Sequence, residues 1–176
     1  MDGVSTMSGM GETTTRKCFR NFCKFVVRDL FRIHFRLPEG DDLKEVMQKY
    51  HKKGLTGEIR SIDVTHILWD RVPANLACDC LGKEGMPTLA FEVIMDFTRR
   101  VRAVTHGFPG SENDKTISRN DTALEMIRTE GPYATQQFQL YDAGGAKHQW
   151  QEAYLICDNG YVKVGRQSEC TRVAPH

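Results

Sequence analysis

The hydrophobic period of this chain changes near Ile59, and the change separates a helical first part from a sheet-forming second part. Ahead of it, Phe19, Phe22, Cys23, Val26, Leu30 and Ile33 recur at the 3.6-residue spacing of an amphipathic helix, with one of the threonines at 13–15 as its cap. "RLPEGDD" breaks that helix. A second is predicted over "DDLKEVMQKYHKKG", with Asp41 or Asp42 as cap, Leu43, Val46, Met47 and Tyr50 as apolar stripe, and Gly54 as stop. Short helices draw most of their stability from tertiary burial, so both are expected to pack on the sheet-forming part of the chain.

From Ile59 the pattern alternates: Ile62, Val64 and Leu68 point to one face, and Ser61, Asp63 and Thr65 to the other. "PTLAFEVIMDF" puts Leu89, Phe91, Val93 and Met95 on one face of a second strand, and "RRVRAVTHG" supplies a third after a tight link near Thr98. Those three read as an antiparallel meander. After a Pro-Gly turn, Ser111 is the expected cap, with Asp114 three residues on, of a helix facing Ile117, Leu124 and Ile127 inward. "FQLYDAGGAKHQWQ" reads as a strand, a Gly-Gly turn and an irregular return. The last clear strand, "AYLICD", is reached through a crossover helix and is therefore expected to run parallel to an earlier strand.

The 176 residues, 40% hydrophobic and 27% charged, fall in the globular range and suffice for a real core. No apolar run approaches the roughly 18 residues that span a bilayer, so no membrane segment is expected. The N-terminus has neither a basic start nor an apolar stretch behind it; a secretory signal is not expected, and the nucleus or the cytoplasm is. No C-x-x-C pair occurs among the six cysteines, and "CDC" is too tight for a usual zinc knuckle, which leaves reduced, mostly packed thiols. Residues 16–36 hold seven Lys or Arg against one acid, Asp29. Such a cluster, with Arg20, Lys24 and Arg28 along it, serves a polyanion such as DNA or stands as a solvated helix face.

Asp63 interrupts one core-like strand and Asp158 another. The predicted topology sets the middle of the first strand beside the C-terminal end of the fourth, where open α/β sheets bind ligands. Two convergent carboxylates repel unless a proton or cation joins them, and a hard divalent ion with phosphate oxygens is one solution. Other readings stay open: Asp158 initiates a turn before Asn-Gly, and Asp63 accepts hydrogen bonds from Ser61, Thr65 or a neighbouring strand. His66, beside Trp69, reads as a packed, hydrogen-bonded histidine.

Four blocks in order, "GLTGEIRSIDVTHILWDRVP", "GKEGMPTLAFEVIMDF", "GFPGSENDKTI" and "YLICDNGY", resemble the endonuclease domain of PIF/Harbinger-type transposases, in the branch often labelled plant transposon protein. The preceding "GMGETTTRKCFRNFCKFV" and "FRLPEGDDLKEV" resemble the helical lead-in of those proteins, and the likeness runs from residue 9 to about 164. It implies an α/β, ribonuclease-H-like mixed sheet whose Asp, Asp and Glu hold two ions, Mg²⁺ or Mn²⁺, for cleavage and joining of DNA. By motif, the first Asp falls on Asp63 and the second on Asp158; Asp114 matches a further acidic position, which lines the site or caps the helix. The resemblance also implies a nuclear protein that works with a separate Myb-like DNA-binding partner, with a homo-oligomer left open.

The organisation expected from this is a disordered stretch at 1–12, a helical lead-in at 13–56, a partial DDE endonuclease domain at 57–165 and an unmatched tail at 166–176. The family's third carboxylate, a Glu on a later helix, has no counterpart, since Glu169 lies in sequence without helical period. The fifth strand and that last helix are accordingly expected to be missing and cleavage to be weak or absent. The alternative is a non-catalytic remnant that contacts nucleic acid or protein through its basic helix.

Overall fold

The computed structural model describes residues 7, 9–83 and 85–158, and the chain divides into two compact units, 1–36 and 37–176. In the first unit, α1 (Glu12–Phe25) runs into a π-helical turn (Val26–Leu30) and a short α2 (Phe31–His34). Gly11, not a threonine, holds the N-cap, and Thr15 instead donates its hydroxyl back to the Gly11 carbonyl at 3.2 Å. The π turn widens the helix locally and breaks the uniform 3.6-residue phase expected over 16–36. Phe19, Phe22 and Ile33 of the apolar stripe are exposed, as is Phe25.

In the second unit, α3 (Gly40–His51) starts from Glu39, whose side chain makes no capping bond. Asp41 and Asp42, the expected caps, lie instead in the first turn, where the positive end of the helix dipole favours carboxylates. Leu43 and Tyr50 are buried and Met47 is partly so, which lays this helix on the core as its stripe requires.

The main sheet is built on β1 (Glu58–Leu68), β2 (Thr88–Met95), β3 (Val101–Val104), β4 (Phe108–Pro109) and, last in sequence, a strand at Tyr154–Ile156. β1 pairs antiparallel with β2 from Ser61 opposite Met95 to Leu68 opposite Thr88, and β2 pairs antiparallel with β3. β4, unforeseen in the sequence, adds to the far end of β2 through Leu89 and Ala90. The chain then crosses the sheet by α4 (Asp114–Arg119), α5 (Thr122–Thr129) and α6 (Gly131–Ala134). A single crossover helix was expected. Asn113 caps α4, accepting from the Thr116 amide at 2.9 Å, and Asp121 caps α5, accepting from Ala123 at 2.7 Å. Two such residues compete for backbone amides and so divide the helix. Ser111, the expected cap, spends its hydroxyl on the Asp79 carbonyl.

β5 (Gln137–Tyr141) and β6 (Lys147–Gln151) form a separate two-stranded hairpin, where an irregular return was expected. Asp142 ties its turn, accepting from the amides of Gly144 and Ala146, and Gly145 takes the left-handed backbone. β7 (Tyr154–Ile156) then pairs parallel to β1, giving the order β3-β2-β1-β7. Ile59 is an extra residue in that pairing, because Glu58 lies opposite Tyr154 and Arg60 opposite Leu155. Such a bulge lets side chains on both sides of it turn inward.

One sheet face carries the core. Ile62, Ile94, Leu124, Ile127 and Tyr133 join Leu37, Leu43 and Ile59 in one cluster, and Ala90, Phe108 and Ile117 form a second with Val64 against it. Burying each large side chain there stabilises by about 1.5–3 kcal/mol. The buried row of β2 is thus Ala90, Glu92 and Ile94, while Phe91, Val93 and Met95 are only half-buried. The Tyr133 hydroxyl donates to the Pro38 carbonyl at 2.8 Å and fastens the crossover to the start of this unit.

Candidate functional site

Asp63 stands in the middle of β1, opposite Val93, on the less covered face of the sheet. It is exposed, and its Oδ1 accepts from the Val64 amide at 2.8 Å. Asp158, also exposed, comes two residues after β7. The last parallel pair joins Ser61 to Ile156, so Asp63 lies two residues past that pair within β1 and Asp158 two residues past it, beyond the end of β7. Side chains alternate along strands, which gives equal offsets the same facing wherever pairing geometry is kept. The burial that made these acids look costly in sequence is absent: both reach water.

The remaining sequence candidates lie elsewhere. Asp114 is half-buried in the first turn of α4, whose cap is Asn113. Arg20 and Lys24 line one open hollow on α1 together with Arg16, Lys17 and Asn21. Arg28, beyond the start of the π turn, is paired with Asp29 through Nε and Nη2. His66 hydrogen-bonds Thr88 at 3.0 Å, as expected, but it is exposed and not packed. Cys18, Cys23 and Cys78 are exposed free thiols, Cys157 is half-buried and Cys80 is buried, so packing accounts for fewer cysteines than expected. Asn159, Gly160 and Glu169 lie outside the described residues.

The acids that do lie inside were not singled out in sequence. Glu92, fully buried, accepts from the Ser118 hydroxyl at 2.7 Å. Asp96 accepts from the amides of Thr98 and Arg100, the Thr98 hydroxyl and Arg102 Nε, and lies 3.6 Å from Arg60. Burial alone would raise its carboxyl, yet the hydrogen bonds from Thr98, Arg100 and Arg102 outweigh that and hold it well below the ordinary range. Glu58 has neither carboxyl oxygen hydrogen-bonded within the described residues, and burial raises it to about 7. The available signal was the one used for Asp63: a carboxylate inside an apolar run, as in "AFEVIMDF".

Among the described residues, no three or more His, Cys, Asp or Glu gather closely enough to hold a metal ion, and no helix is long and apolar enough to cross a membrane. As donors, Asp63 and Asp158 offer hard oxygens open to water, a set that suits Mg²⁺ or Mn²⁺ and not a thiophilic metal.

A mixed sheet with three antiparallel strands, a helical crossover and a parallel strand beside β1 is the ribonuclease-H-like arrangement expected from the sequence. Residues 32–169 match the family described as plant transposon protein, and the chain belongs to that transposase-related family. No curated protein and no solved structure matches it.

Proposed function

We propose that the chain is a DDE-type nuclease domain of the PIF/Harbinger kind, derived from a transposase, which binds a divalent ion and DNA phosphate through Asp63 and Asp158. The observation that carries this reading is the parallel register, with both aspartates two residues beyond the Ser61–Ile156 pair and both exposed. Mg²⁺ or Mn²⁺ held there would activate a water or a 3′-hydroxyl and stabilise the leaving oxygen of a phosphodiester. The residues' own part is to supply two oxygen donors at one level of the sheet, with Val64 holding the Asp63 carboxylate in place. Asp114, at the start of the crossover, lines the approach on this reading without completing a group of three acids among the described residues. Efficient two-ion cleavage takes a third carboxylate, which this reading leaves unassigned, so strand cleavage is expected to be slow. Titration calorimetry with Mg²⁺ tests the assignment: Asp63→Asn and Asp158→Asn each abolish the binding isotherm, and equal binding in wild type and both variants would refute it.

A second reading rests on a different surface. Arg16, Lys17, Arg20 and Lys24 share one hollow on α1, which suits a non-catalytic contact with nucleic acid or protein. On that reading, Arg20→Gln with Lys24→Gln and Arg28→Gln weakens DNA binding and flattens its salt dependence, while the aspartate variants leave it unchanged. Nuclear localisation and a separate Myb-like DNA-binding partner belong to the first reading and follow from the resemblance, which leaves a homo-oligomer open.

A further inference from the structure

The turn between β2 and β3 and the C-terminal end of α3 together form a basic surface around one exposed aromatic ring. Phe97 leads out of β2 and remains 37% exposed. Lys49 Nζ sits 5.0 Å from its ring centroid, and Tyr50 packs edge-on against it at 5.9 Å and 88°. Lys52 caps the C-terminus of α3 and Lys53 follows in the closing turn, where its amide donates to the Tyr50 carbonyl, and both are exposed. Arg99 and Arg100 are exposed on the turn itself. Of these cations Lys49 is paired with Glu45, and the charge of Asp96 is taken up inside by Arg60 and Arg102.

The turn is built to hold its shape. Asp96 accepts four hydrogen bonds from Thr98, Arg100 and Arg102, and its own amide donates to the Arg100 carbonyl at 3.0 Å. Arg99 is held at φ 64°, a left-handed backbone that non-glycine residues seldom adopt. A glycine would meet that geometry with less strain, so the arginine there is unexplained by the turn alone. A rigid ring ringed by cations matches a partner that offers regularly spaced negative charge together with flat, unstacked faces.

We propose that this surface binds a nucleic-acid strand, with Lys52, Lys53, Arg99 and Arg100 on consecutive phosphates and Phe97 against an unpaired base. An acidic protein segment would satisfy the cations but leave the ring without a flat partner. The surface is separate from Asp63 and Asp158, and its test runs in EDTA, so it stands or falls independently of metal binding. Fluorescence polarisation of a labelled single-stranded 15-nucleotide probe, titrated over salt concentration, reads both affinity and slope. Lys52→Gln/Lys53→Gln/Arg99→Gly/Arg100→Gln is expected to weaken binding at least tenfold and reduce the log–log salt slope by about 2–3. Arg99→Gly suits the left-handed backbone, and a thermal melt confirms that the variant folds. Phe97→Ala is expected to weaken binding about tenfold with the slope unchanged, and Phe97→Trp to restore it. Wild-type affinity and slope in the folded quadruple variant overturn the proposal, as does undiminished binding by Phe97→Ala, or competition by polyglutamate as strong as by unlabelled probe.

Discussion

Glu58 carries the clearest acid–base consequence at the scale of single residues. It is fully buried at the start of β1, opposite Tyr154, and raised from 4.5 to about 7 by desolvation. Between those values the folded chain keeps a proton that the unfolded chain has lost, so stability is full below pH 4.5 and falls as pH rises toward 7. The slope in that window is about 1.4 kcal/mol per pH unit at most, for a total of up to about 3 kcal/mol. Asp96 acts oppositely and in another window, since its depressed carboxyl withdraws stability only as pH falls below the ordinary Asp range. Urea denaturation at pH 5 and pH 8 is expected to show wild type less stable at the higher pH, and Glu58→Gln to remove most of the difference. Equal stability of wild type at both pH values would place the ionised carboxylate comfortably inside the fold. The aspartates that sequence made conspicuous, Asp63 and Asp158, are exposed, while Glu58 and Glu92 are buried. Period-two alternation tells which residues share a face but not which face is covered.

Among the elements, strands were more legible than their junctions. Antiparallel β1, β2 and β3 and parallel β7 are dictated by alternation and by the crossover between them. The caps differ from expectation because several polar residues stand together before each helix; Ser111 is drawn away by the Asp79 carbonyl, and Glu39 holds its N-cap position with no side-chain capping bond. The π turn and the Ile59 bulge have no periodic signature at all. The start of β1 gives a test of how closely elements meet. Gly57 has φ 91°, and a Cβ there would come within 2.3–2.5 Å of the Phe138 ring on β5. Gly57→Ala is therefore expected to destabilise by about 1–3 kcal/mol in a thermal melt, and Phe138→Leu in the same chain to recover part of the loss. An unchanged melting temperature would show that the hairpin can withdraw from β1 freely.

At the scale of the molecule, a transposase-related chain with a ribonuclease-H-like sheet carries Asp63 on β1 and Asp158 just after β7, each two residues beyond the last parallel pair, Ser61–Ile156. Resemblance of ordered motifs was enough to reach the family; the alternation of strands was enough to reach the sheet. The pairing of Ser61 with Ile156, beyond which both acids lie, is a register that sequence does not encode locally, because it is shifted by the bulge at Ile59. The most direct measurement is paramagnetic broadening of backbone amide NMR signals by substoichiometric Mn²⁺. The account expects selective broadening of residues around Asp63 on β1 and around Asp158 after β7, together, with both effects lost in Asp63→Asn. Broadening at one aspartate alone, or centred instead on the exposed acids Asp41 and Asp42 of α3, would contradict it.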